Sequence, residues 1–334
     1  MTAPDRKIGG KMAGELKIFS GSSNPKLAEK ICNLMSQPLG RAQIYKFKEG
    51  NVYVKLLETV RRKEVFFIQS GIQPVNDLIM ETLFFIDTFR RSSAASITVV
   101  LPFFPYTKGD KKDEPRVSIR AKVVSEIIEA AGADRVLTID LQPPQIQGFF
   151  HIPLDNLYAM PVFIDYLTQF PMKDLIIVAP DFGAAKMANS FSRQLKAPVA
   201  LGSKYRMTDS DKVDYHDIIG EVDGKNVLIV DDMIITGETV FTISSLLKER
   251  GAKKIFVCAT HGLISETIVG QLDRGAIDKL IITDTVPVPD GVQHKKLVQL
   301  SVAPLISEAI SSIYNGNPLS KLFDRVEWLS NFSK

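Results

Sequence analysis

Only two cysteines, Cys32 and Cys258, occur among 334 residues. They are too few and too far apart for a disulfide framework or a zinc cluster. Both fall in apolar periodic stretches, so they are expected in the core of a protein kept in a reducing, cytoplasmic setting. Long apolar runs are lacking too. The best candidate, residues 97–106, holds two prolines and stops before Lys108, well short of the ~20 residues of a membrane span, so no membrane partner is expected. Residues 1–14 carry no apolar core of a secretory signal and are expected to form a flexible tail. Charge of one sign is not in excess either, with 41 Lys+Arg against 38 Asp+Glu and a net charge of +3. No global field calls for nucleic acid, and none is expected as a partner. Among the four histidines, His151, His216 and His294 have no metal-ligand spacing, which argues against a structural zinc.

What is present is an ordinary globular composition, 45% hydrophobic and 24% charged, in a chain long enough for two domains at ~100–200 residues each. Short runs rich in Val, Ile and Phe predict strands over 16–20, 65–70, 97–104, 136–141, 175–180, 199–202, 227–232, 255–260 and 280–283. Apolar residues at i, i+3 and i+4 predict helices over 74–91, 117–131, 184–195 and 239–250. Nearly continuous apolar strands joined by single helices indicate a parallel sheet covered on both faces, and so an α/β protein. Two echoes, Ala131-Gly-Ala-Asp-Arg-Val-Leu-Thr-Ile-Asp and Gly251-Ala-Lys-Lys-Ile-Phe-Val-Cys-Ala-Thr, favour two similarly built halves joined near residues 158–161.

The strongest local signal is Val227-Leu-Ile-Val-Asp-Asp-Met-Ile-Ile-Thr-Gly-Glu-Thr-Val240. An apolar strand ends in two acids, a turn holds Thr236, Gly237 and Thr239, and a helix follows. Backbone N–H groups of such a turn suit a phosphate, and the threonine hydroxyls add donors. Asp231 and Asp232 can face sugar hydroxyls or a hydrated Mg2+. Ligands of open α/β sheets bind at the carboxyl ends of strands. On spacing alone the stretch is equally an acidic strand end followed by a threonine-capped helix.

This stretch is similar to the phosphoribosyl pyrophosphate (PRPP) loop of type I phosphoribosyltransferases, and specifically to that of the ribose-phosphate pyrophosphokinases, also called PRPP synthetases. Further segments agree in the same order: Phe66-Phe-Ile-Gln-Ser-Gly, Pro102-Phe-Phe-Pro-Tyr, Gly148-Phe-Phe-His-Ile-Pro-Leu-Asp-Asn-Leu-Tyr-Ala, Ala179-Pro-Asp-Phe-Gly-Ala-Ala-Lys and Thr260-His-Gly. The resemblance implies two tandem phosphoribosyltransferase-like domains, each a mainly parallel sheet flanked by helices, over residues 15–158 and 159–334. It implies an active site at their junction and transfer of the diphosphate of MgATP to ribose 5-phosphate, giving PRPP and AMP.

The resemblance also assigns residues. Lys204 and Arg206 match a basic pair on a flexible lid over the transferring phosphoryl group. Asp181 and Lys186 match an acid for the ribose side and the metal, and a lysine near phosphate. Asp231, Asp232, Thr236, Gly237 and Thr239 match the ribose 5-phosphate site. Phe47, Glu49 and Asn51 match a loop that reaches the adenine site of a neighbouring subunit, although the family more often has an acid where Asn51 stands. The implied assembly is a dimer-based homo-oligomer, up to a hexamer, or a hetero-oligomer with related subunits.

Four positions depart from the family's usual pattern. Lys108 stands where an arginine normally contacts ATP phosphates, keeping the charge but losing the bidentate fork. Gln142 replaces a histidine that touches metal and polyphosphate; its amide oxygen can still meet Mg2+ or its water. Ile235 replaces an acid that bonds the ribose hydroxyls, and Glu238 replaces a glycine of the phosphate cradle. Two functions of different class follow: an active Mg-dependent PRPP synthetase with an altered site, or a catalytically weak or silent homologue that assembles with active subunits and regulates them. His261 reads equally as part of a family turn and as a packed structural residue.

Overall fold

The computed structural model describes residues 14–206 and 213–322. Its first part runs β1 (Leu16–Ser20), α1 (Pro25–Leu34), β2 (Ala42–Lys46), β3 (Val52–Leu56), β4 (Glu64–Ile68), α2 (Val75–Arg91), β5 (Ser96–Leu101), α3 (Arg120–Ala131), β6 (Arg135–Ile139) and β7 (Leu154–Leu157). Strands β1, β4, β5, β6 and β7 form one parallel sheet in that order, and β2 with β3 makes a separate antiparallel hairpin. The chain continues through α4 (Met160–Thr168), β8 (Leu175–Ala179), α5 (Ala185–Leu195), β9 (Val199–Arg206), β10 (Val213–Ile219), β11 (Asn226–Ile234), α6 (Glu238–Glu249), β12 (Lys254–Gly262), α7 (Glu266–Arg274), β13 (Lys279–Thr283), β14 (Leu297–Leu300) and α8 (Ala303–Asn315). The second sheet has the order β10-β9-β8-β11-β12-β13-β14 and is parallel except for β10 at its edge.

The pattern of burial explains the parallel strands. Val227, Leu228, Ile229 and Val230 are all fully buried, as a strand must be when helices cover both faces of its sheet. Helix ends are set locally. The Asn24 side chain accepts the Leu27 N–H ahead of α1, and Gly132 closes α3 with φ 115°. Cys32 and Cys258 are both buried, and burial pushes the Cys32 thiol up to about 11. No helix among the described residues is long and apolar enough to cross a membrane.

The two sheets share one core. Ile18, Phe66 and Leu137 of the first and Ile177, Leu228 and Ile281 of the second belong to the same buried cluster, with α1, α4, α5 and α8 packed into it. Polar contacts add to the join: Asn24 Nδ2 donates to the Asp284 carbonyl at 2.8 Å, and the Ser70 hydroxyl to that of Thr285 at 2.6 Å.

One segment differs from the expected pattern. The basic pair at 204 and 206 is expected on a flexible lid after a strand ending near 202. Its backbone instead continues β9 and pairs antiparallel with β10, Lys204 opposite Tyr215 and Arg206 opposite Val213. The sequence there is too polar to show a strand; the ladder partner supplies the order. Residues 207–212, the middle of the expected lid, lie outside the described residues.

Candidate active site

At the carboxyl end of β11 the two acids are held by backbone. The Asp232 N–H donates to Asp231 Oδ1 at 2.9 Å, and the Met233 N–H to Asp232 Oδ1 at 2.9 Å. Burial raises both carboxyls above their ordinary range, Asp231 well above it, and the Coulomb repulsion of Asp232 on Asp231, with Asp181 acting on both, adds to the effect. The following turn needs glycine at 237. Its φ is +81°, and a Cβ there would lie 2.7 Å from the Phe241 ring and 3.3 Å from the Gln271 amide oxygen. The Glu238 N–H reaches Thr236 Oγ1 at 3.4 Å, and Glu238 opens α6. The resemblance places the cradle's glycine at 238. Here the left-handed position is Gly237, and the acid takes the first turn of a helix, where a negative charge is favourable.

This loop lines a small cavity of about 80 Å³ together with Asp231 and, from the first sheet's side, Lys108. A second cavity of about 210 Å³ lies alongside, lined by Asp140, Gln142, Lys186, Asp231 and Thr260 among apolar side chains. Asp231 borders both. Asp140 follows β6, and its Oδ2 accepts from the Thr260 hydroxyl at 2.6 Å and the Ala159 N–H at 3.1 Å. Burial pushes its carboxyl up to about 6 despite those bonds, with the charge of Asp232 acting in the same direction.

The expected residues therefore fall into three groups. Lys108, Gln142, Lys186, Asp231, Thr236, Gly237 and Thr239 line the two adjoining cavities. Asp232 adjoins them in the strand, and Asp181 lies near enough to act on both acids while its Oδ1 caps its own turn through the Gly183 and Ala184 N–H groups at 2.9 and 3.3 Å. Phe47, Glu49 and Asn51 form a second group at the tip of the β2–β3 hairpin, lining neither cavity; Phe47 is 43% exposed and packs its ring edge-on to Tyr45 and Tyr53. Lys204 and Arg206 form the third, at the end of β9 where it pairs with the edge strand β10. Of the departures in the loop, Ile235, 38% exposed, and Glu238 both line the smaller cavity.

Asp140 and Thr260 were not among the expected site residues. Asp140 carries the same signal as Asp231, an acid directly after a buried apolar strand. Thr260 stands in the Thr260-His-Gly segment of the resemblance, but its contact with Asp140, 120 residues away, shows only in the fold.

The oxygen donors of the site are hard: the carboxylates of Asp140 and Asp231 and the amide of Gln142 line the cavities, with the Asp232 carboxylate next in the strand. Among the described residues no group of three or more His, Cys, Asp or Glu is arranged to hold a metal ion. That donor set fits Mg2+, which keeps several waters and arrives on phosphate oxygens with one or two carboxylates rather than in an all-protein cage.

A strand–turn–helix loop at the carboxyl end of a parallel strand, facing a second parallel sheet flanked by helices, defines a protein of tandem phosphoribosyltransferase-like architecture. Residues 16–132 match the family model described as the N-terminal domain of ribose phosphate pyrophosphokinase, and residues 206–324 match the phosphoribosyl synthetase-associated domain. The chain is 41% identical to the ribose-phosphate pyrophosphokinase of Oceanobacillus iheyensis over 92% of its own length and 97% of the relative's. It is 42% identical to that of Synechocystis, covering 92% of both chains. The solved phosphoribosylpyrophosphate synthetase of Mycobacterium smegmatis superposes with a TM-score of 0.85 at 33% identity, covering 91% of this chain and all of that one. The chain belongs to the ribose-phosphate pyrophosphokinase family.

Proposed function

We propose that the protein transfers the diphosphate of MgATP to the anomeric hydroxyl of ribose 5-phosphate, yielding PRPP and AMP. The observation that carries this reading is the meeting of the two halves: Lys108 faces the loop of Thr236, Gly237 and Thr239, while Gln142 and Asp140 share the adjoining cavity with Asp231. Loop amides and the threonine hydroxyls hold the 5-phosphate, and Asp231 and Asp232 accept from the ribose hydroxyls. Lys108 and Lys186 set positive charge against the polyphosphate, and Lys204 and Arg206 add theirs from the sheet edge. A new bond forms between the anomeric oxygen and the β-phosphorus, and the bond from that phosphorus to the α–β bridging oxygen breaks, leaving AMP. Mg2+, when bound, neutralises phosphate charge; Asp231, Asp232 and Gln142 would hold it, with Asp181 beside them. The test is AMP formation by the purified chain from ribose 5-phosphate and ATP, with dependence on Mg2+. A preparation that binds ATP but forms no AMP overturns the reading.

The exposed Ile235 favours a second reading, a catalytically weak or silent subunit that regulates active relatives, because an apolar side chain cannot accept a sugar hydroxyl's hydrogen bond. Calorimetry separates the two. If Ile235 and Glu238 disable the sugar site, ribose 5-phosphate binds at millimolar strength or not at all, and the double change Ile235→Asp with Glu238→Gly tightens it while nucleotide binding hardly moves. Micromolar binding by the unaltered chain removes the second reading.

The hairpin tip bearing Phe47, Glu49 and Asn51 lies apart from the two cavities, which supports a role in a site on another subunit. Self-association is therefore expected. Sedimentation at micromolar concentration should give a dimer or larger, and a monomer unchanged by ATP and Mg2+ would remove both the hairpin's role and the assembly.

A further inference from the structure

Two consecutive residues at the carboxyl end of β12 grip two consecutive residues at the end of β6. Thr260 Oγ1 donates to Asp140 Oδ2 at 2.6 Å, and His261 Nε2 lies 3.1 Å from the Ile139 carbonyl. A carbonyl only accepts, so Nε2 carries the proton. Nδ1 is then the acceptor nitrogen, and it lies 2.9 Å from the Thr285 hydroxyl. The Thr283 hydroxyl donates to the Thr260 carbonyl at 2.7 Å, and the Thr285 hydroxyl lies 3.0 Å from the same carbonyl, so its one proton is shared between that oxygen and the ring. Burial lowers the His261 pKa to about 4, so at neutral pH the ring is uncharged, in keeping with one donor and one acceptor nitrogen.

His261 also touches the other first-half segment that enters the site. The Phe103 ring lies 4.7 Å from its centroid, and Phe103 stands in the stretch that leads from β5 to Lys108. On its own sheet His261 pairs with Met233, two residues after Asp231 in β11. One buried ring thus contacts the segments bearing Lys108 and Gln142 on one side and adjoins the strand bearing Asp231 and Asp232 on the other.

We propose that His261 is a positioning residue that sets the register of the nucleotide side of the site against its sugar-phosphate side. The inference rests on the reaction proposed above. The loop of Thr236, Gly237 and Thr239 belongs to the second sheet and the Lys108 and Gln142 segments to the first, so loss of the His261 contacts leaves each segment folded and able to bind its ligand. It lets the two bound ligands drift, and a misplacement of about 1 Å can cost ~10²-fold in rate.

The test compares His261→Leu, which removes the ring's two polar contacts, with His261→Gln, whose amide N–H can still reach the Ile139 carbonyl. Expected are a kcat lowered ~10²-fold in the leucine variant, separate dissociation constants for ATP and ribose 5-phosphate within about twofold of the parent, and most of the rate regained by glutamine. A packing role alone would lower the melting temperature and the competent fraction while leaving kcat per competent site unchanged, and that result overturns the proposal. A kcat within about threefold of the parent does so as well.

A second readout needs no turnover: the tightening of ribose 5-phosphate by saturating α,β-methylene-ATP, expected to be at least ~tenfold in the parent and lost in the leucine variant. A parent that forms no AMP but shows this coupling, with loss in the variant, overturns the reaction and upholds the positioning. A parent with neither overturns both. Should His261→Leu fail to fold, Thr260→Val, which removes only the Asp140 bond, is read by the same measurements with the same decisions.

Discussion

Replacing Lys204 or Arg206 with alanine is expected to lower kcat by ~10²–10³-fold, the usual cost of losing a donor aimed at developing charge, while KM for either substrate changes far less. The transferring group is most exposed electrostatically when its bond to the α-phosphate is breaking. A cation placed to meet it then acts on the transition state more than on bound ATP. Both residues sit at the end of β9 opposite β10, so an edge ribbon carries them. Steady-state kinetics on the two single variants decide the matter. Turnover like that of the parent in both would remove the pair from the mechanism, and a large rise in KM with kcat unchanged would recast them as residues for binding alone.

The second large effect is expected at Gly237. Its φ of +81° is a conformation that costs an alanine ~1–2 kcal/mol, and the new methyl would have to clear Phe241 at 2.7 Å. Phe241 lies on the first turns of α6, so relief by moving its ring disturbs the helix end that borders the cavity. The cheaper response is a shift of the loop away from the cavity. Gly237→Ala should therefore weaken ribose 5-phosphate at least ~30-fold, since a buried N–H that loses its phosphate partner costs ~1–3 kcal/mol and more than one is displaced. ATP affinity should stay within twofold. Calorimetry with each ligand reads both numbers. Undiminished sugar-phosphate binding would mean that the cradle does not depend on this turn.

The sequence shows where the parallel strands lie because blocks such as Val227 to Val230 are apolar without interruption, which only a doubly covered sheet demands. It shows the loop after β11 for the same reason: two acids and a threonine-rich turn break abruptly from an apolar run. β10 and the end of β9 are hidden, since an edge ribbon of Lys, Tyr, Arg and Asp owes its order to a neighbour's hydrogen bonds. Helices α1 and α4, at 10 and 9 residues, are too short for their period to stand out. The site's second cavity is hidden more deeply. Its apolar walls read as core, and the contact of Asp140 with Thr260 exists only after two sheets have closed on each other. Glu238 shows how one residue's shift matters: the turn's need for glycine is met at 237, so the acid falls into a helix start.

The shared core has a consequence for synthesis on the ribosome. The first sheet turns Ile18, Phe66 and Leu137 toward a layer that also holds Ile306 and Ile310 of α8, the last α-helix among the described residues, and α1 packs directly against that helix. When the first sheet has emerged, the helix that covers this face has not been translated. The nascent chain must carry an open apolar surface through most of its elongation, at rates of ~5–20 residues per second. Such a chain invites a holding chaperone, or an early partner chain, for as long as α8 is still to come, and a truncation that removes α8 leaves the same surface bare for good.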